Sequence, residues 1–284
     1  MIVVKDIKTI RDLIKKEKKD NKKIGFVPTM GALHKGHESL IERSIKENDT
    51  TIVSIFVNPI QFGPSEDFNK YPRPFENDKN ICERLGVDIL FNPEKEEIFG
   101  DNFLTFVDIE KLQNNLCGVK RPGHFRGVCT IVAKLFNIVT PDRAYFGKKD
   151  IQQLIIISKM VEDLNFDIEV IPCPIVREKD GLAMSSRNSY LTPEERKDAT
   201  ILNIAIKEAI SMIENGEKNS NKIISSIEKR IKSVPSARID YVKIVNKDMI
   251  DQESVKNGDI LALAVFIGTT RLIDNHIIGE EINW

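Results

Sequence analysis

Two hydrophobic patterns alternate along roughly the first 175 residues. Short, nearly unbroken apolar runs occur at Ile24–Val27 before Pro28, at Thr51–Val57 and at Val87–Phe91 before Asn92-Pro93. Further short runs lie at Arg143–Phe146 and Asp167–Ile171. Such runs predict strands of a parallel sheet buried on both faces. Between them the apolar positions recur at helical spacing. Leu40, Ile41, Ser44 and Ile45 share one face of a segment over 37–48, and residues 75–85 also read as a helix. Val128, Val132, Leu135 and Val139 mark a third helix, stopped by Thr140-Pro141. Ile151, Leu154, Ile155, Ser158 and Val161 mark a fourth, over 150–164. This rhythm predicts an α/β, Rossmann-like, doubly wound parallel sheet over residues 1–175, with right-handed crossovers.

The pattern changes near Pro174. Thr192-Pro193-Glu194-Glu195 predicts a helix start, with Thr192 as cap, Pro193 in the first position and Glu195 completing a capping box. That helix is expected to run to about Asn215, where Gly216 stops it. A second helix is expected over 218–232, then strands over 239–245, 260–267 and 271–276. The last strand alternates apolar and polar positions, as a half-exposed antiparallel strand does. Residues 176–284 therefore read as a smaller α+β domain. Internal repeats, low-complexity tracts and a disordered linker are not seen.

Composition narrows the partners. A net charge of −1 gives no overall attraction to nucleic acid or an anionic membrane. The basic stretch Lys15–Lys23 reads as a solvated helix end and loop. No apolar run approaches the ~18 residues of a membrane span, and the N-terminus lacks a signal-peptide pattern. Cys82, Cys117, Cys129 and Cys173 are scattered without C-x-x-C spacing, which argues against a zinc ribbon or dithiol centre. They read as buried thiols, and the expected compartment is the cytoplasm.

The chemistry concentrates in Pro28–Leu40, PTMGALHKGHESL, where strand gives way to helix. His34 and His37 are spaced i, i+3. Three readings are open: a metal site, a phosphate site, or packing alone. Two ligands do not make a zinc site, and no H-E-x-x-H or cysteine pair completes one. In an open α/β sheet, ligands bind beyond the carboxyl ends of the strands. Gly31 and Gly36 permit close backbone approach, and His37 lies near a helix N-terminus that favours phosphate. Neither a Walker P-loop nor a G-x-G-x-x-G is present.

His34-Lys35-Gly36-His37 resembles the HxGH signature of the nucleotidyltransferase superfamily. Met184-Ser185-Ser186-Arg187 is similar to its second signature, a basic serine-containing loop of the KMSKS type. Longer stretches narrow the resemblance to the pantoate–β-alanine ligase family. They are PTMGALHKGHESL, FVNPIQF (56–62), YPR (71–73), RPGHFRGV (121–128), AYFGKKDIQQL (144–154) and GLAMSSRN (181–188). They appear in order from about residue 25 to residue 193.

The resemblance implies an ATP- and Mg²⁺-dependent ligase that forms pantoyl adenylate and then pantothenate, AMP and pyrophosphate. It implies small-molecule substrates only (ATP, pantoate and β-alanine) and a homodimer. His37, His34 and Lys149 become the expected catalytic groups. The expected ATP-binding residues are Met30, Gly31, Ala32, Leu33, His34, Lys35, Gly36 and His37, then Gly147, Lys148, Lys149 and Asp150. Val176 and the loop Met184, Ser185, Ser186 and Arg187 complete that set. Gln61 and Gln153 are expected to bind pantoate, with Gln61 also meeting β-alanine, and Asn58 is expected to bind β-alanine. Asp150 could bind ribose or cap its helix. Gly181 is expected to hinge the loop that carries Met184–Arg187, and residues 176–284 are expected to act as a lid. Arg121 and His124 are possible anion contacts. Family members often carry two acids after YPR at a metal site; here Glu76-Asn77-Asp78 leaves the metal ligands unknown. Two further readings remain: another adenylyl- or cytidylyltransferase, and a non-catalytic ATP sensor on the same fold.

Overall fold

The computed structural model describes residues 1–64 and 66–281. In chain order it runs β1 (Ile2–Val4), α1 (Ile7–Lys19), β2 (Ile24–Thr29), α2 (Lys35–Glu47), β3 (Thr50–Ile55), α3 (Phe75–Leu85) and β4 (Ile89–Phe91). Next come α4 (Lys95–Phe99), α5 (Leu116–Lys120), α6 (His124–Val139), β5 (Arg143–Gly147), α7 (Ile151–Asp163) and β6 (Glu169–Cys173). The chain ends with α8 (Pro193–Asp198), α9 (Ile201–Glu214), α10 (Ser220–Lys232), β7 (Ala237–Val245), β8 (Ile260–Ile267) and β9 (Thr270–Ile277). It divides into two compact units. The first comprises residues 1–110, 120–148 and 153–173, and the second comprises 111–119, 149–152 and 174 onward.

The first unit holds a six-stranded sheet in the order β1-β4-β3-β2-β5-β6, parallel throughout. Its central strands carry Phe26, Val27, Ile52, Val53, Leu90 and Tyr145, all fully buried, as their continuous apolar runs require. The strand order reverses between β2 and β5, which pair at Gly25–Arg143 and Phe26–Ala144. In such sheets the reversal opens a crevice at the carboxyl ends of the two strands. β2 leads there into the segment that carries the histidine pair.

Helix α2 lies close against β2. A Cβ added at Gly25 would come 2.2 Å from Ser44 Oγ and 2.4 Å from Asn48 Nδ2. Those polar groups are themselves engaged. Asn48 Nδ2 donates to the Tyr145 hydroxyl at 2.7 Å, and that hydroxyl donates to Glu47 Oε2 at 2.9 Å. Burial, together with the Glu47 carboxylate, pushes the Tyr145 phenol up to about 12, so it remains a donor.

In the second unit β7, β8 and β9 form an antiparallel sheet. Ile206, Ile223, Ile227 and Ile231 from α9 and α10 form one core with Leu261, Leu263 and Val265 of β8. Beyond Asp274 the alternation predicted for β9 fails, since Asp274 and Asn275 are both buried; from Thr270 to Asp274 an alternation of burial is borne out. So is the capping box at α8: Glu195 N–H donates to Thr192 Oγ1 at 3.3 Å, and Thr192 N–H donates to Glu195 Oε2 at 2.9 Å.

Three sequence expectations need correction. The single helix expected from 192 to 215 breaks at Ala199-Thr200 into α8 and α9. There the ladder tightens to i→i−3 bonds, Thr200 N–H to Lys197 O and Leu202 N–H to Ala199 O, while the Thr200 hydroxyl also donates to Lys197 O. The third predicted helix begins four residues earlier than its first apolar marker, at His124. Cys82, Cys129 and Cys173 are buried thiols, but Cys117 is half-buried, 3.3 Å from the Tyr241 hydroxyl.

Gly25→Ala is expected to destabilise the protein by about 1–3 kcal/mol, because the added methyl must displace Ser44 and Asn48 from a bonded cluster. A shift of the denaturant midpoint at constant slope would show it; an unchanged midpoint would mean that α2 backs away without cost.

Candidate functional site

In the first unit, the chain leaving β2 turns through Met30–Leu33 before α2 begins. Gly31 (φ 81°) and Ala32 (φ 50°) both lie in the left-handed region. That conformation is unfavourable for alanine, so something must hold it. The holder is Asp78 of α3, which is 1% exposed. Its Oδ2 accepts the Ala32 N–H and its Oδ1 the Leu33 N–H, both at 2.8 Å. Gly31 is required beside it: a Cβ there would lie 2.9 Å from Asp78 Oδ2. Burial raises the Asp78 carboxyl above its ordinary value of 3.8, and the two N–H donors hold that rise back.

The turn delivers His34 to the N-cap of α2. His34 Nδ1 accepts the Gly36 N–H at 3.1 Å, and His37 Nδ1 accepts the His34 N–H at 3.4 Å. The two imidazoles thus form a reciprocal capping box, with ring centroids 4.1 Å apart. An N–H can only donate, so both Nδ1 atoms are bare in the neutral rings. Each ring then carries its proton on Nε2. Each histidine is therefore an Nε2–H donor held at a helix N-terminus. Both are half-buried, and Lys35 between them is exposed. Lys35 and Arg84 pair with the buried Glu38 at 2.8 and 2.7 Å. Burial opposes ionisation of Glu38, but Arg84 and Lys35 bring its carboxyl below the usual range.

A second turn follows β3. Asn58 and Gln61 are both buried, at 1% and 8% exposure. Asn58 Nδ2 donates to Gln61 Oε1 at 3.0 Å and to Gly127 O at 3.1 Å, while Gln61 Nε2 reaches Met30 Sδ at 3.0 Å. The structure thus brings Gln61 and Asn58 together with Met30 of the first turn. Asn58 Oδ1 has no partner among the described residues. A buried acceptor left this way marks a place where a donor is missing.

Arg121 and His124, the possible anion contacts, are engaged with protein groups. Arg121 Nε and Nη2 grip Glu66 at 2.7 and 2.6 Å, and Nη1 meets His124 Nε2 at 2.9 Å. Gln153 is half-buried in the first turn of α7, and Gly147 ends β5 beside Cys173. Lys148 follows it in a 3₁₀ turn.

In the second unit, residues 176–184 form a short hairpin closed by Glu178–Gly181, with Met184 N–H donating to Val176 O. Its root is pinned by a buried bidentate pair, Arg177 with Asp274 at 2.7 and 3.0 Å. Gly181 (φ 90°) answers a close approach as well as a turn, since its side-chain space is filled by Asn203. Ser185 caps the 3₁₀ helix Ser186–Tyr190 by accepting the Arg187 N–H at 3.2 Å. Lys149 is half-buried, its carbonyl accepting Asn275 Nδ2 at 2.8 Å, and Asp150 is exposed.

Sequence reasoning missed three supporting groups. Asp78 was weighed as a metal ligand; its oxygens serve the Ala32-Leu33 backbone. His124 was weighed as an anion contact; its Nδ1 meets the Gln61 carbonyl at 2.8 Å. Gln152 donates to Leu112 O and Asn115 O and accepts the Cys117 N–H. None of these contacts has a local sequence signal, because the partners lie 35 to 63 residues apart. Among the described residues, no three His, Cys, Asp or Glu side chains are grouped to hold a metal ion.

The family model described as pantoate-beta-alanine ligase matches residues 2–277. A pantothenate synthetase of Caldicellulosiruptor saccharolyticus is 56% identical over 279 residues, covering 98% of this chain and 99% of its own. The crystal structure of pantothenate synthetase from Thermus thermophilus superposes with a TM-score of 0.93 at 42% identity, covering 98% of this chain and 99% of its own. The pantoate-beta-alanine ligase from Francisella tularensis, solved with beta-gamma ATP and beta-alanine, gives a TM-score of 0.80 at 37% identity, covering 98% and 97%.

Because burial raises the Asp78 carboxyl, the native state takes up its proton at higher pH than the unfolded chain does. The ionised group is thus a net cost to folding above its unfolded pKa, and that cost falls as pH drops through the folded value. Asp78→Asn removes that cost but presents an amide N–H to a backbone N–H. The expected result is a melting temperature within a few degrees of the parent and turnover lowered by about a hundredfold, as for a displaced catalytic loop. Full turnover in a folded variant would show that the loop holds its conformation without the carboxylate.

Proposed function

The chain belongs to the pantoate–β-alanine ligase family, and on that footing we propose how its residues carry the reaction. The enzyme condenses pantoate with β-alanine using ATP, through pantoyl adenylate, and releases pantothenate, AMP and pyrophosphate. A carboxylate does not acylate an amine at neutral pH, because oxide is a poor leaving group. Attack of the pantoate carboxylate on the α-phosphorus, with loss of pyrophosphate, installs AMP as a good one. The β-alanine amine then attacks the acyl carbon, and AMP departs. The protein supplies position and donors rather than a covalent group of its own.

In this reading the Nε2–H groups of His34 and His37 donate to the triphosphate, most strongly as charge builds toward pyrophosphate. Met30–Leu33 and Gly36 meet the nucleotide through backbone. Gly147 and Lys148–Asp150 are assigned to phosphates and ribose, with Lys149 as a catalytic cation. Val176 is assigned to adenine, and Met184–Arg187 to the β- and γ-phosphates. Gln61 and Gln153 hold pantoate as neutral amides, which bind a carboxylate without quenching its nucleophilicity. Asn58 Oδ1, buried and without a partner among the described residues, suits an N–H of the attacking β-alanine amine. The observation that carries the reading is the paired cap: two imidazoles whose Nδ1 atoms are committed to backbone at a helix N-terminus.

Mg²⁺ enters as the counter-ion of ATP. Glu76 is exposed and Asp78 serves backbone, so the described residues suggest no protein cage for it. No step is assigned to the ion. The resemblance further suggests a cytoplasmic homodimer. No helix among the described residues is long and apolar enough to cross a membrane.

Labelled pyrophosphate is expected to enter ATP only when pantoate is present; exchange without any carboxylate, or none with pantoate, would refute the adenylate route. His37→Ala should slow adenylation by about 10²–10³-fold with ATP affinity little changed, as for a lost transition-state donor. Equal losses in both would assign His37 to ground-state binding. Gln61→Ala should raise the KM for pantoate by about tenfold and leave that for ATP alone, which steady-state kinetics would separate.

A further inference from the structure

Gln61 does not hold its own conformation. The turn Pro59–Gln61 is a single 3₁₀ turn without a side-chain cap of its own. It is shaped from outside, by the first residues of α6. Gly127 packs so closely that a Cβ there would lie 2.3 Å from Ile60 O and 2.6 Å from Gln61 Cα. The Gly127 carbonyl accepts Asn58 Nδ2. His124, 8% exposed, points Nδ1 at the Gln61 carbonyl, 2.8 Å away.

The protonation pattern of His124 follows from its partners. A carbonyl oxygen only accepts, so Nδ1 carries a proton and donates. Arg121 Nη1 only donates, so Nε2 is a bare acceptor. A doubly protonated ring would set N–H against N–H and cation against cation. The neutral Nδ1–H tautomer is therefore the form these contacts select. Arg121 is itself fixed, because Glu66 takes its other two donor positions from the far end of the same loop. Burial works against the Glu66 charge, and Arg121 more than offsets it, bringing the carboxyl below its ordinary 4.5.

We infer that His124 is a positioning residue for pantoate. Held in one tautomer by the Arg121–Glu66 pair, it fixes the main chain of Gln61 and so aims the Gln61 amide. This rests on the reading of Gln61 as a pantoate group. The chain Glu66–Arg121–His124–Gln61 ties Gln61 to the first residue of α6 and Glu66 to the turn just before that helix. It joins residues 55 and 63 positions apart.

Kinetics of the full-length enzyme test the relay. His124→Phe keeps the ring but removes both contacts. It is expected to raise the pantoate KM by about tenfold and change the ATP KM by less than about twofold. His124→Asn places its amide near the Nδ1 position and should recover most of the loss. His124→Gln reaches only the Nε2 position and should not. These two amides carry the comparison should His124→Phe fail to fold.

In a Gln61→Ala background His124→Phe should add less than about twofold, because it acts through the amide already removed. Equal rises in both KM values, equal behaviour of the Asn and Gln variants, or full additivity would overturn the relay. Gln61→Ala impaired with His124→Phe silent would overturn it alone. Gln61→Ala silent would remove the pantoate reading of Gln61 and the relay with it.

Discussion

A carboxylate buried in α3 sets the shape of the loop on which the histidine pair stands. Asp78 is almost inaccessible, and isolating a charge there would cost several kcal/mol if nothing met it. Two backbone N–H groups of consecutive residues meet it, one on each oxygen. In return the carboxylate keeps Ala32 at a positive φ that alanine rarely adopts. The left-handed pair Gly31-Ala32 turns the chain from β2 into α2, and that turn places His34 at the cap. The two hydrogen bonds offset part of the desolvation of the acid and hold the strained turn in place. Local strain of this kind collects where geometry serves chemistry.

The cap extends the same economy. Most helices close their first turn with a hydroxyl and a carboxylate or amide, whose only task is to satisfy backbone N–H groups. Here two imidazoles do that with Nδ1, and the same act fixes the proton on Nε2. One set of hydrogen bonds terminates the helix, orients both rings and selects their tautomer. His124 is the complement: its Nδ1 faces a carbonyl, so its proton sits on the opposite nitrogen. Three histidines in one unit thus take two tautomers, each dictated by whether the nearest backbone group donates or accepts.

Much of the architecture was legible before any coordinates. Continuous apolar runs such as 51–57 specify buried parallel strands, and β3 falls there. The Thr192–Glu195 box was readable because both partners lie within one turn. The break at Ala199-Thr200 was not, since neither residue is a helix breaker and Pro193–Asp198 carries no apolar position from which a period could be read. The exposure of Cys117 was not legible either, because the thiol lies beside Arg271 and Tyr241, which belong to strands more than a hundred residues away.

The sequence by itself determined the alternation of elements, the family resemblance and the residues that carry charge or hydrogen-bond donors toward a nucleotide. These are local or linear properties: a period, a cap, a spacing, a string of letters in order. Only the tertiary structure decided what holds those groups in place. Asp78 braces Ala32 and Leu33, His124 braces Gln61, and Gln152 braces the segment 112–117. Each brace depends on a directional hydrogen bond between chain positions that become neighbours only after the sheet and its helices have packed, and no pattern along the chain encodes such a distance.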